Sequence, residues 1–281
     1  MMPRGEERTV DTSATAPPGA ILLGRDHEDE GDVATAAVAG DVAVGLARGW
    51  RPKPYPYVDA NEDAVGCAVS DRSRLLVVAD GHNGREASHE AVRAVMDLLG
   101  EQPRPADLRD DEMFAAVQLI EDRIAVATAH DDDRARWSRT TLVVALRTAT
   151  HLQWFGAGDS ALLVCGPDAT RQLPARARWF LGGGAGRHGL RRSLARGRIG
   201  LTPDAWVVLT TDGYTDYLPE DLTVEAAVAR AVTDVDGVEG AVGALLAQAR
   251  QGGAGDNVGV SLSGPWYTPD DGYDHISGHH R

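Results

Sequence analysis

Apolar residues along this chain gather in short continuous runs bounded by turn residues, and the pattern switches to a 3.6-residue period in a few places. The runs at residues 64–70 and 74–79 predict two strands joined as a hairpin, and the small-residue, valine-rich run 34–47 predicts one or two more. Runs at 140–147, 151–156 and 161–165 predict three strands in succession, a meander, and 206–210 and 258–262 complete the set. Helical spacing predicts a helix over 85–99, with Ala87, Ala91, Val95 and Leu98 or Leu99 on one face and Gly100 as its stop. A second helix is predicted over 111–130, with Phe114, Val117, Ile120, Ile124 and Ala127 as its buried stripe, and two more between 224 and 250. Long amphipathic helices beside strands predict a helical layer over a sheet.

The remaining segments divide the chain. Residues 1–30 mix Pro, Gly, Ser, Thr and charge without periodicity and read as a disordered lead-in. One domain follows over 31–264, and 265–281 read as a tail whose His275, His279 and His280 are solvated. Three prolines within residues 51–57 exclude a helix or central strand there and predict an exposed loop. Residues 171–200, rich in Arg and Gly, read as a mobile basic segment outside the core, and the acidic clusters 27–32 and 110–112 as solvated loops.

Composition narrows the function. A formal net charge of -14 and a pI near 5.0 argue against nucleic acid or an anionic membrane as partner. No run approaches the ~20 apolar residues of a membrane span, and no basic-then-apolar signal opens the chain, so the expected compartment is the cytosol. Cys67 and Cys165 lie inside apolar runs and read as buried reduced thiols. The single lysine, Lys53, leaves no candidate for a phosphate-loop lysine.

Candidate chemistry lies at the strand boundaries. Asp80-Gly81-His82 follows one predicted strand and Asp212 another, while Glu62-Asp63, Asp159 and Asp256 precede strands. In an antiparallel sheet, strand starts and strand ends alternate along each edge, so Asp63, Asp80, Asp159, Asp212 and Asp256 can share one rim. That many carboxylates in one place need protons or cations. Oxygen donors without Cys or His spacing favour a hard ion such as Mg²⁺ or Mn²⁺, and two such ions roughly 4 Å apart activate water against phosphate esters. The residues thus point to a binuclear phosphohydrolase.

Six segments in order, Asn61-Glu-Asp-Ala64, Val78-Ala-Asp-Gly-His82, Ser138-Arg-Thr-Thr-Leu142, Gly158-Asp-Ser160, Thr211-Asp-Gly-Tyr-Thr-Asp216 and Gly255-Asp-Asn257, make the chain resemble the metal-dependent PPM-type (type 2C) protein serine/threonine phosphatases over about residues 40–263. The resemblance implies an α+β fold, a four-layer α-β-β-α sandwich of two antiparallel sheets with flanking helices. It implies two Mn²⁺ or Mg²⁺ ions, and a weaker third. Asp80 would bridge the two ions, the Gly81 carbonyl and, largely through water, Glu62 would serve one, and Asp212 and Asp256 the other; Asp159 would help hold the third. Asp63 and Asn257 would support the ligands from behind. His82 matches the family's proposed general acid, and a metal-bridging hydroxide would attack phosphoserine or phosphothreonine of a phosphoprotein directly. A serine/threonine kinase pathway would supply that substrate.

The sequence departs from the family pattern in particular places. Val58 stands where an arginine commonly holds the substrate phosphate; Arg51 and Arg139 are the candidates to replace it. The stretch between Asp159 and Asp212 is short, which reduces the flap beside the site, and its Arg187, Arg191, Arg192, Arg196 and Arg198 are either attractors of phosphoprotein or a solvated loop. His82 itself differs from the non-titrating residue that many bacterial members carry. These departures keep two other readings open: a non-catalytic regulatory binding module, and a phosphatase of small phosphorylated metabolites.

Overall fold

A computed structural model describes residues 18–100, 108–129, 135–175, 179–182 and 194–266. Its first sheet is built from β1 (Gly19–Leu23), β4 (Ala64–Val69), β5 (Arg74–Ala79), β8 (Leu142–Arg147), β9 (His151–Ala157) and β12 (Ala195–Gly200), in that spatial order and antiparallel throughout. The second runs β11 (Thr170–Leu173), β10 (Ala161–Cys165), β13 (Trp206–Thr210), β14 (Val258–Ser263), β3 (Val42–Ala47) and β2 (Val33–Val38). Helices α1 (Glu86–Val95) and α2 (Asp110–Thr128) cover the first sheet. Helices α4 (Val224–Thr233) and α5 (Gly237–Gly252) cover the second, and the short α3 (Asp212–Thr215) opens directly from β13.

Strand period explains why both faces of the central strands are apolar. Along β5, Leu75, Val77 and Ala79 pack under α1 and α2, whereas Leu76 and Val78 point into the layer between the sheets. Along β13, Val208 faces the helices, and Val207 and Leu209 face the other sheet. The four-layer α-β-β-α sandwich follows from these continuous apolar runs. At its far edge Arg147, wholly buried, donates to Ser263 Oγ at 3.0 Å, the Pro203 carbonyl at 3.1 Å and the Gly264 carbonyl, tying the ends of both sheets.

The structure departs from the sequence reading in several elements. Strand β1 lies inside residues 1–30, read as lead-in; its Leu22 and Leu23 alternate too briefly to announce a strand, and pairing with β4 makes one. The predicted meander breaks after β9. Gly158, at φ +85°, turns the chain tightly against Thr141, whose Cγ2 lies 2.5 Å from where a Cβ would stand, and β10 joins the other sheet. The buried stripe of α2 is Met113, Val117, Ile120, Ile124 and Thr128, so Ala127 is not in it and Phe114 only skirts the core. Asp110 to Glu112 form the first turn of α2, where acidic side chains meet the positive end of the helix dipole, and Glu112 accepts from the Arg109 N–H at 3.0 Å. The basic stretch 171–200 contributes the outer strands β11 and β12 and buries Leu173, Leu181 and Leu194. Arg187, Arg191, Arg192 and the tail histidines lie outside the described residues. No helix among the described residues is long and apolar enough to cross a membrane.

Candidate metal centre

The first sheet supplies one group of acids. Asp80 follows β5, and its backbone is pinned on both sides: its N–H donates to Thr141 Oγ1, and its carbonyl accepts from the Thr141 N–H and Thr140 Oγ1, each at 2.9 Å. Thr141 Oγ1 is in turn 2.7 Å from Ser160 Oγ. Gly81 passes so close to the preceding loop that a Cβ would lie 2.3 Å from the Glu62 carbonyl, so glycine alone allows this approach. Glu62 is 2 % exposed and its Oε1 accepts from the N–H of Gly84 at 2.7 Å and of Val58 and Asp59 at 3.3 Å. Asp63 is equally buried, and Thr211 Oγ1 donates to its Oδ2 at 2.9 Å.

The second sheet supplies the rest, with Asp212 at the start of α3, Asp256 ahead of β14 and the exposed Asp159 ahead of β10. Asn257 joins the two groups. Its Oδ1 accepts from the Glu62 N–H at 2.9 Å, and its Nδ2 donates to the carbonyls of Arg48 and Ala60 at 2.9 and 3.0 Å. One buried amide thus spans from the start of β14 to the loop ahead of β4.

Electrostatics show how close the acids are. Burial, followed by the charges of Asp63, Asp212, Asp256 and Asp159, raises the Asp80 carboxyl well above its ordinary range. Burial and then Asp256 do the same to Asp63. Asp212 is pushed up to about 7 by burial, then by Asp256 and Asp159, while a hydrogen bond shared with Asp80 pulls the other way. Asp63, Asp159, Asp212 and Asp256 thus all act electrostatically on the Asp80 carboxyl. Asp80 Oδ2 is buried without a hydrogen-bond partner among the described residues, and the donors around it are all oxygens apart from His82. Such a set suits a hard divalent cation, because a cation relieves the repulsion and satisfies the orphaned oxygen together.

His82 lies in β6 (Gly81–His82), which pairs with β7 (Arg139–Thr140), so His82 and Arg139 are register partners. His82 Nδ1 is 3.8 Å from Asp80 Oδ1, and ligand atoms of Asp80, His82 and Asp159 all lie within 4.8 Å of one another. Burial lowers the imidazole from its ordinary value, Asp159 draws it up, and the guanidinium of Arg139 adds to the lowering. The Phe180 ring meets His82 edge to face at 4.6 Å and carries the Arg139 guanidinium at 5.3 Å. Arg139 itself is exposed. Arg51 instead lays its guanidinium over Gly253, just past α5, and Val58 is 41 % exposed.

Sequence reasoning missed Lys53 and Tyr55. The loop 51–57 is exposed as expected except at Lys53, whose Nζ stands 3.3 Å from Asp256 Oδ1 and 3.4 Å from Glu62 Oε2, while the Tyr55 hydroxyl donates to Asp256 Oδ2. The available signal was one lysine among 28 basic residues, placed between prolines shortly before Glu62.

Comparison with solved structures finds the same fold at low sequence identity. The serine/threonine phosphatase PstP/Ppp of Mycobacterium tuberculosis is 19 % identical with a TM-score of 0.61, over 84 % of this chain and 99 % of that one. The catalytic domain of PstP in complex with two manganese ions is 20 % identical with a TM-score of 0.63, over 84 % and 100 %. The PPM phosphatase MsPP of Mycobacterium smegmatis, in complex with cacodylate, is 22 % identical with a TM-score of 0.56, over 82 % and 100 %. Comparison with curated protein sequences gives no match. A family profile described as protein phosphatase 2C matches residues 59–248, a span that holds Glu62, Asp80, His82, Asp159 and Asp212, and on that match the chain belongs to the protein phosphatase 2C family.

Proposed function

We propose that this protein is a metal-dependent phosphatase that removes phosphate from phosphoserine and phosphothreonine of proteins with two Mn²⁺ or Mg²⁺ ions. The observation that carries this reading is the buried, unpartnered Asp80 Oδ2 beside His82 and Asp159, under the charges of Asp63, Asp212 and Asp256, in a chain of this family. Asp80, the Gly81 carbonyl and, through water, Glu62 would hold one ion, and Asp80, Asp212 and Asp256 the other. Asp159 would contribute to a weaker third, and Asp63 and Asn257 hold the ligands in place. The bound ions supply a water activated at neutral pH and neutralise charge on the phosphoryl oxygens.

The chain's own residues do the rest. Asp80 is preset for its role because its backbone is fixed by three hydrogen bonds before any ligand arrives. His82 donates a proton to the leaving seryl or threonyl oxygen. Because burial lowers its pKa, the imidazole carries that proton fully only below histidine's ordinary range. Arg139 takes the phosphate-facing position that Val58 leaves without charge; it is exposed, borne on Phe180, and in register with His82. The domain we assign to this activity is 31–264, extended at its start by β1. The net charge of -14 supports an enzyme without nucleic-acid or anionic-membrane partners, and we place it in the cytosol.

The test is hydrolysis of an aryl phosphate and of a phosphothreonine peptide by folded protein, with Mn²⁺ and with chelator. Mn²⁺-dependent turnover of the peptide is the expected result. Turnover of neither substrate, in protein that calorimetry shows to bind Mn²⁺, would replace the enzyme with the non-catalytic binding module. Turnover of the aryl ester alone would favour a small phosphorylated metabolite as substrate.

A further inference from the structure

The segment 51–57 is a stiff strap. Pro52, Pro54 and Pro56 fix alternate φ angles and remove alternate backbone donors, so it forms neither helix nor ladder. Its residues are exposed except for Lys53, which plunges among the carboxylates with a side chain 2 % exposed. The rings of Tyr55 and Tyr57 flank the ammonium at 5.7 and 5.4 Å, and Tyr55 reaches past it to Asp256.

Both oxygens of Asp256 are therefore engaged. Oδ1 takes Lys53 at 3.3 Å and the Asn257 N–H at 2.8 Å, and Oδ2 takes the Tyr55 hydroxyl. Glu62 is engaged as well, with Oε1 held by backbone N–H groups and Oε2 facing Lys53 at 3.4 Å. An ion that takes an oxygen of Asp256 arrives beside the ammonium that already neutralises this carboxylate, and a double positive charge next to a buried ammonium repels it. The strap is otherwise exposed and free of sheet pairing, so it can leave without unfolding either sheet.

We infer that Lys53 is a tethered cation that competes with a divalent ion for Glu62 and Asp256, and that the strap 51–57 swings out when the ion binds. This rests on Asp256 as an ion-holding residue. Lys53 then sets the affinity of the site on the Asp256 side, a property quite apart from turnover.

Because Lys53 is the single lysine of the chain, its exposure can be read directly in the native protein. Full-length protein is treated with an amine-acylating reagent in chelator and in saturating Mn²⁺, and the modification of Lys53 is quantified by mass spectrometry. The expected result is protection in chelator and a rise of about tenfold in Mn²⁺; equal protection in both overturns the inference. Calorimetric titration with Mn²⁺ is run in parallel on wild type, Lys53→Met and Asp256→Asn. The methionine variant, of similar length without the charge, is expected to bind at least about tenfold tighter, and unchanged or weaker binding overturns the inference. If wild type binds Mn²⁺ and Asp256→Asn loses it while Lys53 stays masked, the competition fails and the metal reading survives. If wild type binds no Mn²⁺, both fall.

Discussion

Replacing Asp212 by asparagine should make the metal-free protein more stable, although it removes a proposed ion ligand. Asp212 sits at about 7 in the folded protein, against an ordinary value of 3.8. A carboxyl raised on folding contributes its full stability below the unfolded value, and that contribution is lost as pH climbs through the folded value. A shift of three units corresponds to a destabilisation of about 4 kcal/mol, felt fully above pH 7, where the buried carboxyl is forced to ionise, and absent below about pH 4. Asparagine never ionises, so it escapes this cost but adds a buried amide that needs partners, about 1–3 kcal/mol. The net gain expected in chelator at pH 8 is about 1–3 kcal/mol, or several degrees in Tm for a domain of this size. Urea or thermal unfolding in chelator from pH 4 to 8 measures it: the wild-type profile should fall between pH 4 and 7 while the variant's stays flatter. With Mn²⁺ the order should reverse, because only the wild type gains binding energy. A variant less stable than wild type in chelator at pH 8, or two parallel profiles, would show that mutual carboxylate repulsion does not govern this site.

Three further outcomes follow from residues around it. His82→Ala should lower kcat on a phosphothreonine peptide about 100-fold and on an aryl phosphate little, since an aryl leaving group needs no proton; equal losses would remove the acid role. With His82 present, peptide turnover should decline with rising pH from below histidine's ordinary value, and the variant should lose that limb. Arg139→Ala should raise KM for the peptide about tenfold at unchanged Tm, because the side chain is exposed; a changed kcat at constant KM would relocate it from phosphate binding. Arg147→Met should cost about 1–3 kcal/mol in urea unfolding, since it removes one donor each from the carbonyls of Pro203 and Gly264 and from Ser263 Oγ, and no loss at all would mean that the guanidinium ties nothing together.

Much of the fold and rim could be read in advance because it is local. Strands β4, β5, β13 and β14 announce themselves by continuous apolar runs, and Asp80, Asp159 and Asp212 by glycine-flanked junctions. What escaped is what depends on partners distant in sequence. Strands β11 and β12 are rich in Arg, Gln and Gly and become strands only through β10 and β9. The break between β9 and β10 depends on the contact of Gly158 with Thr141. Lys53 is separated from Asp256 by most of the chain, and nothing in a proline-rich loop signals that one side chain turns inward. Asp110 to Glu112 read two ways in the sequence, as a solvated acidic cluster and as the opening of the helix over 111–130, and the structure makes them the first turn of α2, where acids suit the helix dipole.

The two-sheet origin of the acids gives the interior of the sandwich an unexpected part in the chemistry. Glu62, Asp63 and Asp80 ride on one sheet and Asp212 and Asp256 on the other, with Asn257 as crosspiece. The gap between the halves is therefore set by the thickness of the Val65, Val78, Val143, Val207 and Leu209 layer between the sheets, about 10 Å in packings of this kind. That layer is a gauge block: trimming or padding it by a methylene acts on the spacing of the two groups of carboxylates as well as on stability. Hydrophobic residues buried between the sheets thus belong to the calibration of the carboxylate cluster.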